Sequence, residues 1–174
     1  MIGPSIAQAC RDQPAAVGKD HQRSVFKTIL VACDGTGPGN AALHQGVELA
    51  RLCHAAVHVL GIVETLGGML MEPASMGLDL VDIGRTALHA ALSDALSAHG
   101  AIGASAIVAV RDGEARREII TYAQEIGADL VVMGHGEKGF LERLFEGSVS
   151  AGLLAEMPCS LLFTAPHLHG PPAA

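Results

Sequence analysis

The sequence has no tryptophan, one tyrosine and four phenylalanines in 174 residues. That scarcity excludes the stacking platforms with which single-strand and RNA binders hold bases. Lysine and arginine number 11 against 18 acidic residues, a formal net charge of −7 with histidine neutral. The chain therefore lacks the positive field that draws nucleic acid or anionic membrane non-specifically. An anionic ligand would have to be held locally, by backbone dipoles or a few placed cations. No apolar run approaches the roughly 18 residues of a membrane span, and none in the first 24 residues is long enough for a secretory signal. Cysteines stand at 10, 33, 53 and 159, without a CxxC pair or zinc-like spacing. Reduced thiols in a cytoplasmic protein are the expectation. His167 and His169, in the tail PHLHGPPAA, lack further ligands and read as solvated.

What the chain does have is aliphatic: 49% of its residues are hydrophobic, enough for a substantial core in one domain with tails. A core of Ala, Val, Leu and Ile favours helix-on-sheet layers. Residues 1–25 mix Pro, Gly, Gln and charge without periodicity and read as a flexible arm, residues 26–165 as the domain, and 166–174 as a flexible tail. KTILVACD, from Lys27 to Asp34, is a buried strand bounded by the glycine-rich GTGPGN. AALHQGVELARLCHA follows as a helix, with Leu43, Val47, Ala50 and His54 on its apolar face. Ala56 to Glu64 is a second strand, and Thr65 to Met76 a Gly- and Met-rich loop. A long helix over about Leu78 to His99 carries a stripe of Leu80, Ile83, Ala87, Ala91 and Ala95. AIVAVRDG gives a third strand with its turn, and EARREIITYAQEIG a helix with Ile119, Ile120, Ala123 and Ile126 inward. ADLVVMG is a fourth strand, Gly147 to Met157 a further helix and CSLLFT a fifth strand.

Strands alternating with helices at this spacing imply βαβ crossovers and a mainly parallel sheet with helices on both faces. Ligands bind such sheets at the carboxyl ends of the strands, where the winding reverses. The first and fourth strands have Gly-rich exits, so they are expected to be neighbours across that crevice.

Two loops carry the candidate chemistry. DGTGPGN, Asp34 to Asn40, matches neither a Walker loop nor the dinucleotide fingerprint. Asp34 would repel a bare phosphate; it suits ribose hydroxyls or a metal's water shell, or is simply a turn aspartate bonding its own backbone. In the second, Gly134 and Gly136 let backbone amides approach a ligand, and Gly147 with Ser148 opens a helix whose amides and dipole favour an anion. The same residues also fit ordinary strand-to-helix punctuation. Catalytic signals are sparse. Cys33 has no obvious histidine partner and reads as a small core residue. His135 is a phosphate donor, a general acid or a surface-turn residue. Lys138 and Arg143 lie among Glu137, Glu142 and Glu146, as on a solvated helix face.

KTILVACDGT, AVHVLGIVE, GADLVVMGHG and above all EGSVSAGLLAEMPCSLLF resemble the universal stress protein family, over nearly all of residues 27 to 165. The resemblance implies a single-domain α/β fold of the adenine-nucleotide α-hydrolase type, with a five-stranded parallel sheet in order 3-2-1-4-5. It further implies a homodimer formed through the final strand, Ser160 to Thr164, and in one branch a bound ATP, with Mg²⁺. That branch carries G-x-x-G, nine residues, then G-S or G-T. Here Gly134 and Gly147 keep the overall separation, but the second glycine falls one place early, at Gly136, and Glu137 stands at the glycine position. A carboxylate there disfavours triphosphate unless Mg²⁺ or Lys138 offsets it.

Carried over by position, the resemblance sets Asp34 at the ribose, Ala32 beside it, and the backbone of Ile62 at adenine. Met133, Gly134, Gly136, Gly147, Ser148 and Val149 would surround the phosphates. The expectation is a nucleotide-dependent stress-response or signalling module that binds ATP. The alternatives are a dimeric interaction protein without ATP, marked by Glu137, and a slow ATPase, for which no general base stands out.

Overall fold

The computed structural model describes residues 24–64, 80–134 and 156–164. Residues 1–23 of the arm, the Met-rich loop, the helix expected from Gly147 up to residue 155, and the tail lie outside the described residues. So do His135, Gly136, Glu137, Lys138, Gly147, Ser148 and Val149.

Five strands form one parallel sheet: β1 (Thr28–Ala32), β2 (Ala56–Val63), β3 (Ile107–Asp112), β4 (Leu130–Gly134) and β5 (Ser160–Thr164). Their spatial order is β3-β2-β1-β4-β5, the order implied by the resemblance. β1 and β4 are neighbours, with Ile29 opposite Leu130 and Ala32 opposite Met133. Because side chains alternate across a strand, the apolar runs TILVA and LVVM serve both faces at once. Ile29, Val31, Leu130 and Val132 point to one layer, and Leu30, Ala32, Val131 and Met133 to the other.

The first layer is covered by α1 (Gly37–Cys53), α2 (Leu80–Ser97) and the short α3 (Gly100–Ser105). In α1, Leu43, Val47 and Ala50 are buried as the periodicity requires. His54 is not on that face: it is exposed and adopts φ 53° to end the helix, its N–H bonded to the carbonyl of Ala50. The helix also begins earlier than its apolar periodicity suggests. Thr36 caps it, its side chain accepting from the Gly39 N–H, and Pro38 sits in the first turn, where a missing N–H costs nothing. Half of the supposed glycine-rich loop is thus the first turn of α1.

The inward stripe of α2 differs from the expected one. Leu92 and Leu96 are buried with Leu88 and the expected Ala95 packed beside them, whereas Ile83, Ala87 and Ala91 face outward, Ile83 at 51% exposure. In an alanine-rich helix several stripes look alike, and the larger leucines at i, i+4 and i+8 win because they remove more apolar area from water. The second layer belongs to α4 (Ala115–Glu125), which buries Ile119, Tyr122 and Ala123. Asp129 fastens the amino end of the sheet by accepting the N–H groups of Lys27 at 2.7 Å and Thr28 at 2.9 Å. These two bonds to the charged form hold its carboxyl below the usual aspartate range.

Candidate functional site

At the carboxyl ends of β1 and β4 lies a cleft open to solvent. Its floor is apolar: Ala32, Leu60, Ile62 and Met133 all come from the face of the sheet covered by α4. Its rim is built by the turn after β1 and the start of α1, from Cys33, Asp34, Thr36, Pro38 and Gly39, with Gly134 opposite. Five of the nine residues expected at a nucleotide, Ala32, Asp34, Ile62, Met133 and Gly134, are therefore brought together. The other four, Gly136, Gly147, Ser148 and Val149, lie outside the described residues.

Asp34 is both a turn aspartate and a cleft residue. Its Oδ1 accepts the Thr36 N–H at 3.0 Å and the Thr36 hydroxyl at 2.6 Å. Gly134 has a packing role besides the one its composition suggests. A Cβ there would run into the carbonyl of Pro38, so only glycine lets the end of β4 lie against the first turn of α1. Thr36, Pro38 and Gly39 belong to the candidate loop DGTGPGN but were not singled out in it, and Leu60 was not expected at the site. A threonine two residues before a proline is a helix-start signal, and it would have placed the first turn of α1 at this rim. Leu60 carries no sequence signal beyond its hydrophobicity.

Cys33 lines the cleft but is only 4% exposed. Burial, with a smaller push from the Asp34 charge, raises its thiol to about 11. It is a neutral, weakly nucleophilic group at physiological pH. Among the described residues no group of three or more His, Cys, Asp or Glu side chains is placed to hold a metal ion. Nor is any described helix long and apolar enough to cross a membrane.

Next to the cleft, on the same face, is a second polar cluster. Arg111 pairs in register with Ile62, but its guanidinium lies 4.7 Å from the Tyr122 ring centroid and bonds Glu125 at 3.1 Å. Tyr122 in turn meets His58, Oη to Nδ1, at 3.1 Å. Burial pushes His58 below and Tyr122 above their ordinary values. At the far edge of the sheet Leu162 and Phe163 of β5 are each 36% exposed.

An open parallel sheet in this order, helices on both faces and a crevice where the winding reverses define a doubly wound, Rossmann-like α/β protein. The family model described as the universal stress protein family matches residues 26–164. The chain belongs to the universal stress protein family. A universal stress protein of Methanocaldococcus jannaschii is 24% identical over 140 residues, 80% of this chain and 82% of the relative. Among solved structures, a family protein from Burkholderia pseudomallei aligns with a TM-score of 0.61 at 28% identity, covering 81% of this chain and 97% of that one. A universal stress protein in complex with cAMP aligns at 0.60 and 23% identity, over 81% and 98% of the two chains. Another, from Archaeoglobus fulgidus in complex with dAMP, aligns at 0.53 and 21%, over 80% and 98%.

Proposed function

We propose that the protein is a stress-response module that binds ATP in the cleft between β1 and β4 and acts through its nucleotide-dependent state. The observation that carries this reading is the convergence of Ala32, Asp34, Ile62, Met133 and Gly134, from three separate strands and the turn after β1, on one apolar-floored cleft. An apolar slot suits a purine, and the carboxylate at its rim suits sugar hydroxyls rather than phosphate. The complexes of two similar folds with cAMP and dAMP support an adenine nucleotide as the ligand class. The phosphates would extend toward Gly136 and Gly147 to Val149, where backbone amides and the Ser148 hydroxyl receive them. Asp34 is the one carboxylate among the described lining residues, so Mg²⁺ would be held chiefly by phosphate oxygens. The reading includes a cytoplasmic protein and a homodimer joined through β5, whose edge offers Leu162 and Phe163.

Calorimetry with Mg-ATP, together with assay of nucleotide released on denaturing the purified protein, tests the proposal. Heat of binding or released adenine nucleotide is the expected result. Absence of both overturns it. Gly147→Val with Ser148→Ala should weaken ATP binding at least tenfold, and unchanged affinity would mean that the phosphates lie elsewhere. A second reading, a dimeric interaction protein without ATP, is favoured by one feature, the carboxylate of Glu137 at a glycine position of the loop. Under it, wild type fails to bind and Glu137→Gly gains binding.

A further inference from the structure

The sheet has two edges, and that of β3 carries none of the devices that keep an edge strand single. From Ile107 to Val110 it reads IVAV, without charge or proline, and its pairing runs unbroken from His58 opposite Ile107 to Val63 opposite Asp112, with no bulge. Ile107 is 53% exposed. Gly113 donates its N–H to the carbonyl of Val63, and in a parallel ladder every second residue bonds the same neighbour, so Ile107, Ala109 and Arg111 turn their backbone groups to β2. Those of Val108 and Val110 therefore point out of the sheet, and among the described residues none bonds them. The charges that follow are already engaged, Arg111 with Glu118 and Glu125, and Asp112 with Arg85 of α2.

We propose that two copies of this chain join antiparallel through their β3 edges, centred on Ala109, so that two sheets become one. Hydrogen bonds across such a seam need outward-facing residues opposite each other, and Val108 opposite Val110 of the second copy meets that need twice over by symmetry. The same register sets Ile107 beside Arg111 of the second copy, at a non-hydrogen-bonded position, where side chains come closest. The aliphatic stem of Arg111 would then cover the exposed Ile107 while its guanidinium stays with Glu125 and over Tyr122. A register centred on Val110 fits worse: it sets Val108 against the Asp112 carboxylate and leaves Ile107 against Gly113. The helices fit as well. Because α2 lies over β2 and β3, its axis would stand one strand spacing from the two-fold. The two α2 helices would come to about 10 Å apart, the ordinary distance of packed helices. Their contact adds area that a lone pair of six-residue strands would lack. Together with the β5 contact of the proposed homodimer, this seam would give each chain two self-complementary faces, and assemblies larger than two.

The test follows the oligomeric state of the full chain by sedimentation and native mass spectrometry, in a Leu162→Lys background that disables pairing through β5. No nucleotide is needed, so the result is independent of the reading of the cleft. The Leu162→Lys protein should still dimerise as its concentration rises. Adding Val110→Pro deletes an N–H that the fold leaves unused but the seam uses twice, and should weaken the dimer by about tenfold or more. Ala109→Cys probes the register without weakening the edge. At the two-fold the paired Cα atoms would lie about 4.5 Å apart, within reach of a disulfide, so mild oxidation should link position 109 of one chain to position 109 of the other. Val110→Cys should not link to itself, because Val110 faces Val108. If Val110→Pro does not fold, the two cysteine variants decide. A Leu162→Lys protein that stays monomeric, as it would if β3 seats β5 of a neighbour, overturns the proposal. So does a dimer undiminished by Val110→Pro, or one that peptide mapping finds unlinked at position 109.

Discussion

The two faces of the sheet are built on different terms. Under α1 and α2 the contacts are mainly aliphatic: Ile29, Val31, Leu43, Val47, Leu92 and Val132 are all at most 1% exposed, with Cys33 buried among them and Phe26 packed alongside. Under α4 the core is smaller, with Ile119, Met133 and Val131 sharing the face with His58, Arg111 and Tyr122 and with the cleft itself. A dry face can be packed to near-crystalline density and carries stability. The other face gives up part of that packing to a ligand cleft and to polar side chains that must be satisfied where they stand. The cleft's apolar floor thus lies across the sheet from the larger core, while its rim is shared with the start of α1.

Substitutions can break the comparison from either side. On the dry face Leu92→Ala should have the largest effect, a loss of about 3 kcal/mol in chemical denaturation, because it truncates a fully buried side chain. Its nucleotide affinity, measured well below the unfolding transition, should stay as in wild type; a parallel loss of affinity would mean that the faces are coupled. On the polar face Tyr122→Phe removes only the hydroxyl that meets His58 and should cost about 1 kcal/mol. No change would show that water replaces the Tyr122 hydroxyl at His58.

The smallest effect is one of pH. Burial lowers the pKa of His58 in the fold below its unfolded value near 6.5. Between those two values the unfolded chain binds more protons than the folded one, so stability falls as pH drops through about 6.5 toward the folded pKa. Replacing His58 by Gln should flatten the thermal-stability profile of wild type between pH 7.5 and 5. A slope that survives the substitution would assign it to another group. Substitutions on the dry face should leave the slope alone.

How much of this was legible in the sequence follows from the range of the forces involved. The strands were legible because TILVA and LVVM are apolar on consecutive residues, which a buried parallel strand requires. That β1 and β4 adjoin was legible from their loop chemistry, and the full strand order came from the family resemblance. Ala32, Asp34, Ile62, Met133 and Gly134 were named from that resemblance, and in the structure they line one cleft. The start of α1 was misplaced because Gly37, Pro38 and Gly39 look like loop by composition, although the cap at Thr36 outweighs it. The inward stripe of α2 was misplaced because alanine hardly distinguishes one helix face from another. Pairs such as His58 and Tyr122, 64 positions apart, carry no local signal. Only the folded sheet brings them together.

The central claim is that an adenine nucleotide occupies the cleft at the carboxyl ends of β1 and β4. Its most direct test is a titration of the isotopically labelled protein with Mg-ATP, followed by backbone amide resonances. The account predicts saturable shifts concentrated at Asp34, Thr36, Ile62, Met133 and Gly134, with the amides of the dry-face residues Leu43, Leu92 and Leu96 unmoved. Shifts centred away from the cleft, or none at millimolar ATP, would contradict it.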